Sequence, residues 1–113
     1  MIDQKRATDE TPIACTLSGA ELARRGEEVS DLFKAVEQVS ELADGYAFRF
    51  PGGDGVAIRL LEFTLSERSC CPFFTFELYF EPDQGPIWLR LRGGAGVKEF
   101  VASAWSQVLA AHA

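Results

Sequence analysis

No apolar run in the sequence approaches the ~18 consecutive residues that a membrane span requires, which argues against a helical membrane protein. Basic residues are also scarce. Eleven Lys and Arg stand against seventeen Asp and Glu, giving a formal charge of −6, and no basic cluster is longer than Arg24-Arg25. Such a surface repels a phosphate backbone, so direct nucleic-acid binding is not expected. The only histidine, His112, lies one residue from the end of the chain, where fraying is expected, which argues against a Cys-His catalytic pair. Gly93-Gly94-Ala95-Gly96 could offer backbone N–H groups to an anion, with Arg92 and Lys98 nearby, but it matches neither the Walker pattern nor the dinucleotide fingerprint. It reads as a flexible connection.

The polar stretch through Thr11 contains no secretory apolar segment, so the expected location is the cytoplasm. Three cysteines is an odd count, which excludes a closed set of intramolecular disulfides, and a reducing compartment keeps all three as thiols. They are to be read as packing residues, as ligands or as redox groups.

What the sequence does contain is an ordinary globular balance, 47% hydrophobic and 25% charged, in 113 residues that suit one domain with one core. Residues 1–12 read as a flexible arm and 13–113 as the domain. Ser18 and Glu21 form an S-x-x-E capping box with Leu17 and Leu22 placed as its hydrophobic staple, so a helix should begin at about Gly19. Leu22, Val29, Leu32, Phe33 and Val36 share one face of it. Residues 35–42 are open to helix or strand. Asp44-Gly45 suits a two-residue turn of the primed type, and Tyr46, Phe48 and Phe50 alternate beyond it as a half-buried strand does, which favours a hairpin.

After the break at Pro51-Gly52-Gly53, the apolar segment from Val56 to Leu65 reads as a central helix that Pro72 ends at about Cys70. Phe74, Phe76, Leu78 and Phe80 alternate along a third strand, and Ile87, Leu89 and Leu91 along a fourth, joined by Pro82-Asp83-Gln84-Gly85-Pro86. One last helix carries Val97, Phe100, Val101, Ala104, Trp105 and Val108. The predicted fold is α+β, in the order α-ββ-α-ββ-α, with one antiparallel four-stranded sheet and helices packed on one face. Glu77, Glu81, Arg90 and Arg92 share the outer face as cross-strand ion pairs. Trp88 on that face hints at a covering element or a homodimer. The aromatic run Phe73–Phe80 reads as core, with a small-ligand pocket as its alternative.

The distinctive chemistry is the pair Cys70-Cys71. Adjacent Cα atoms are ~3.8 Å apart, below the ~4.4–6.8 Å usual for a disulfide, so a bond between the two would strain the peptide. As thiols at a helix end released by Pro72, they can turn toward one soft ion. Glu67, three residues before Cys70 and four before Cys71, shares their helix surface, and Arg68 adjoins it. The helix C-terminus opposes thiolate formation, which argues against an activated nucleophile. Cys15 is a candidate third sulfur. Three sulfurs would select soft ions, Hg(II), Cu(I), Zn(II) or trivalent arsenic.

The segment Glu67-Arg68-Ser69-Cys70-Cys71-Pro72-Phe73-Phe74, with Ala14-Cys15-Thr16-Leu17 upstream and Gly85-Pro86-Ile87-Trp88-Leu89-Arg90-Leu91 downstream, resembles a family of small uncharacterised bacterial proteins. Some of their relatives look like domains associated with MerR-type heavy-metal-responsive regulators. The resemblance runs over nearly the whole chain after residue 12; it supports grouping the three cysteines and implies a soft-metal context, although this sequence has no helix-turn-helix of its own. The expected ligand set is Cys15, Cys70 and Cys71, with Glu67 as an auxiliary group, in a protein that sequesters or senses a soft metal or metalloid. The alternatives are a thiol redox enzyme, in which one adjacent cysteine attacks and another resolves, and a structural or interaction module whose cysteines only pack.

Overall fold

The structure, a computed structural model, describes residues 19–112, with side chains described from Gly26 onward. The arm, the capping box with its staple, and Cys15 lie outside the described residues. The elements follow in the order α1 (Gly19–Phe33), β1 (Gln38–Leu42), β2 (Gly45–Phe50), α2 (Asp54–Cys70), β3 (Thr75–Phe80), β4 (Ile87–Arg92), α3 (Val97–Ala104) and α4 (Ser106–Ala111). The four strands form one antiparallel sheet in the order β1-β2-β4-β3. This is the expected α+β architecture, with one refinement. The last helix breaks in two at Trp105, where the backbone leaves helical geometry (φ −116°, ψ 33°).

The ambiguous residues after α1 resolve into a tight turn and then a strand. Ala35 and Val36 donate to the carbonyls of Leu32 and Phe33, and Glu37 N–H then reaches the Arg49 carbonyl at 2.7 Å, which commits the chain to pairing with β2. The turn that follows departs from the expected primed type. Leu42 pairs with Gly45, so the two turn residues are Ala43 and Asp44, and neither has a positive φ. Gly45 is required for a different reason: a Cβ there would collide with the Leu91 carbonyl oxygen of β4. The second hairpin does carry the left-handed turn, with Asp83 at φ 61° and Gln84 at φ 58°, closed by Gly85 N–H to Pro82 O at 3.1 Å.

The central strands determine where the core lies. Register pairs Phe48 with Leu89 and Phe50 with Ile87, and these four side chains are buried on one face of the sheet. Leu32 and Phe33 of α1, Leu60 and Phe63 of α2, and Val97 and Val101 of α3 close over them. Phe33 is the hub. Its ring lies 5.2 to 5.5 Å, centroid to centroid, from those of Phe48, Phe50, Phe63 and Trp105, most of them edge-to-face. Phe80, expected inside, is exposed at the end of the edge strand β3. The central helix α2 is likewise apolar on both sides. Leu60 and Phe63 face the core, whereas Ile58, Leu61 and Leu65 are 58%, 51% and 55% exposed. No described helix is long and apolar enough to cross a membrane.

On the outer face, Arg92 Nε donates to Glu77 at 3.2 Å as the pairing pattern suggests, but Glu81 instead accepts the Trp88 indole N–H at 2.8 Å. His112 is held rather than frayed, its two ring nitrogens lying 2.9 Å from the Val108 carbonyl oxygen and 3.0 Å from that of Val36. Lys98 Nζ on α3 meets Glu41 on β1 at 2.6 Å, and that hydrogen bond holds the ammonium above the ordinary lysine range. A raised lysine contributes to stability below its unfolded value of ~10.4 and loses that contribution as pH rises through the folded one.

Replacing Phe33 by Ala removes the hub from between three helices and the sheet. The expected cost is about 3–5 kcal/mol in urea unfolding, whereas Leu65→Ala on the exposed side of α2 should change stability by no more than about 0.5 kcal/mol. Equal effects from the two substitutions would refute this account of the core.

Candidate metal centre

The last turn of α2 assembles the site. Glu67 and Cys70 are three residues apart on one helical face, and Cys71 follows as the C-cap (φ −128°, ψ 74°), its N–H still donating to the Glu67 carbonyl at 2.6 Å. Pro72 then stops the helix, since it has no N–H and disfavours helical geometry at the residue before it. Cys71 thus keeps the position of a helical residue while its backbone can swing the side chain. The result is a cluster of one carboxylate oxygen and two sulfurs, all within 4.8 Å of one another. Glu67, Cys70 and Cys71 are 6%, 3% and 5% exposed, so the cluster is inside the protein. Arg68, expected beside the thiols, is exposed, whereas the Glu67 carboxylate joins them in the interior.

The two sulfurs are 3.5 Å apart. That is far beyond a bond of ~2.05 Å, and Cys71 carries a thiol. The pair is therefore not a vicinal disulfide, in agreement with the strain argument. Cys70, however, is disulfide-bonded. The expectation that all three cysteines rest as thiols does not hold for Cys70. In this state the Cys70 sulfur is occupied, and both sulfurs are thiols only after reduction.

Beside the cluster is an open cavity of about 720 Å³. Val29 and Phe33 of α1 form one wall, Phe100, Trp105 and Val108 another, and Glu67, Cys70 and Cys71 a third. The aromatic run after Pro72 does not form it. Phe73 and Phe74 pack their rings on Phe100, and Phe74 packs on Phe76, as a core would. The lining aromatics come instead from α1 (Phe33), α3 (Phe100) and the break between α3 and α4 (Trp105), and their spacing in the sequence marks them only as buried residues. Trp105 is 8% exposed, and its indole N–H has no hydrogen-bond partner among the described residues. Comparison with known protein families, with curated proteins and with solved structures finds no match.

Alkylation reads the thiol state directly. Denatured protein that has not been reduced should carry one alkyl group on the peptide containing Cys70 and Cys71, and reduced protein two. Two groups without reductant would show that Cys70 rests as a thiol.

Proposed function

We propose that the reduced protein binds a soft metal or metalloid ion through Cys70 and Cys71, with Glu67 as the auxiliary oxygen ligand, and that its role is sequestration or sensing. The observation that carries this reading is the convergence of three buried ligand atoms within 4.8 Å. Cys15 as a further sulfur remains part of the proposal, as does the soft-metal context that the resemblance implies.

The sulfur spacing favours some ions over others. With metal–sulfur bonds of ~2.3 Å, a 3.5 Å separation subtends ~100° at the ion. Such an angle suits tetrahedral Zn(II) or pyramidal trivalent arsenic. A linear two-sulfur site, the arrangement open to Hg(II) or Cu(I), would need the sulfurs ~4.6 Å apart, so these ions require movement of the C-cap residue.

A thiol redox reading has one observation in its favour, the Cys71 thiol sulfur 3.5 Å from that of the disulfide-bonded Cys70. Attack by Cys71 on Cys70 sulfur would form the strained vicinal disulfide and expel the former partner as a thiol. That strain favours ion binding over turnover.

Titration of reduced protein with Zn(II), Hg(II) and arsenite, followed by calorimetry and by sulfur charge-transfer absorbance for Hg(II), tests the main reading. One equivalent should bind to the wild type. Cys70→Ser/Cys71→Ser should abolish binding, and Glu67→Gln should weaken it by roughly tenfold. Absence of binding to folded, fully reduced protein would reject the proposal.

A further inference from the structure

The ligand cluster and the cavity share a wall, and each has a property that the other explains. The cavity is far larger than any bare ion and falls within the ~300–1,000 Å³ range of small-molecule sites. Its other walls are mainly apolar, with Val29, Phe33, Phe100 and Val108 beside the polar side chains of Ser30, Lys34, Ser106, Gln107 and His112. A ligand matching the whole site has a soft centre for the two sulfurs and an apolar substituent for the space beside them.

We propose that the site takes a trivalent arsenical bearing one organic substituent, with arsenic on Cys70 and Cys71 and an aryl-sized group in the cavity. The proposal rests on the soft-ion reading above and names its ligand class. Trivalent arsenic carrying one carbon has two exchangeable positions, matching the two adjacent sulfurs, and its pyramidal geometry suits the ~100° that their 3.5 Å separation subtends. The adduct is electrically neutral, so burying it between a helix end and aromatic rings avoids the desolvation cost of a charged complex.

The chemistry balances. A dithiol reductant first opens the Cys70 disulfide, supplying two electrons and becoming a disulfide itself. The arsenic oxide, R–As=O, then reacts with the two thiols: two As–S bonds form, two S–H bonds and the As–O linkage break, and both protons leave with the oxygen as water. Arsenic stays trivalent. Nothing is oxidised or reduced in this second step.

Phenylarsine oxide, methylarsine oxide and arsenite, each titrated into reduced protein in competition with dithiothreitol, test the proposal. The dithiol competitor cancels the intrinsic thiol affinity of each arsenical, leaving the contribution of the cavity. The phenyl compound should be preferred over the methyl compound by at least about tenfold, from burial of the larger apolar group. Ala104→Trp, or Ala111→Trp, adds bulk at an exposed position of the cavity wall and leaves both sulfurs in place. In either variant, with circular dichroism confirming the fold, methyl binding should persist while the phenyl preference falls to within about threefold. Equal affinity for phenyl and methyl compounds, with arsenite still bound, would overturn this inference and leave the soft-ion reading intact. A phenyl preference that survives both tryptophan variants would also overturn it, because the substituent would then lie outside the cavity. Failure of all three compounds to bind would remove the inference together with the reading beneath it.

Discussion

The rest of the structure depends on how Phe33 is enclosed. One ring at the end of α1 meets Phe48 and Phe50 from the sheet, Phe63 from α2 and Trp105 from the break between α3 and α4. Most of these contacts are edge-to-face, the arrangement that aromatic quadrupoles favour, and together they fix three helices relative to one sheet. Phe33 also forms part of the cavity wall. The packing that stabilises the domain and the space beside the cysteines therefore have a residue in common.

The end of α2 converts that framework into a chemical site. A regular helix already places Cys70 and Cys71, three and four residues after Glu67, on the same surface. Pro72 interrupts it one residue later, so Cys71 keeps its hydrogen bond to the Glu67 carbonyl while its backbone adopts a non-helical conformation. Glu67, Cys70 and Cys71 are thereby buried together at one helix end. The disulfide at Cys70 adds a condition: both sulfurs are thiols only in the reduced protein.

The two sides of α2 differ in a way that bears on the site. Its inner face holds Leu60 and Phe63 against Phe33 and the sheet, while Ile58, Leu61 and Leu65 are exposed on the other. The packing of that inner face contributes to the geometry at Cys70 and Cys71, beside the disulfide at Cys70. The salt bridge from Arg59 to Asp31 at 2.9 Å adds a contact to α1, but an exposed pair of this kind contributes little beside the apolar core.

Much of the fold was legible in the sequence because local patterns already carry it. Period-two alternation marked Tyr46–Phe50, Phe74–Leu78 and Ile87–Leu91, and Pro72 marked the end of the central helix. The sequence also determined that Glu67, Cys70 and Cys71 could share a helix surface, since their spacing of three and four residues does so in any helix. What only the tertiary structure decided is everything that depends on distant partners. The first turn falls at Ala43-Asp44 because strand register selects it, and Gly45 matters through β4, a strand remote from it in the chain. The last helix breaks at Trp105 and His112 reaches the Val36 carbonyl, connections that no local period reports. The cavity is of the same kind: its walls come from α1, α2, α3 and α4, and side chains with core-like spacing line a space only where helices fail to close over one another.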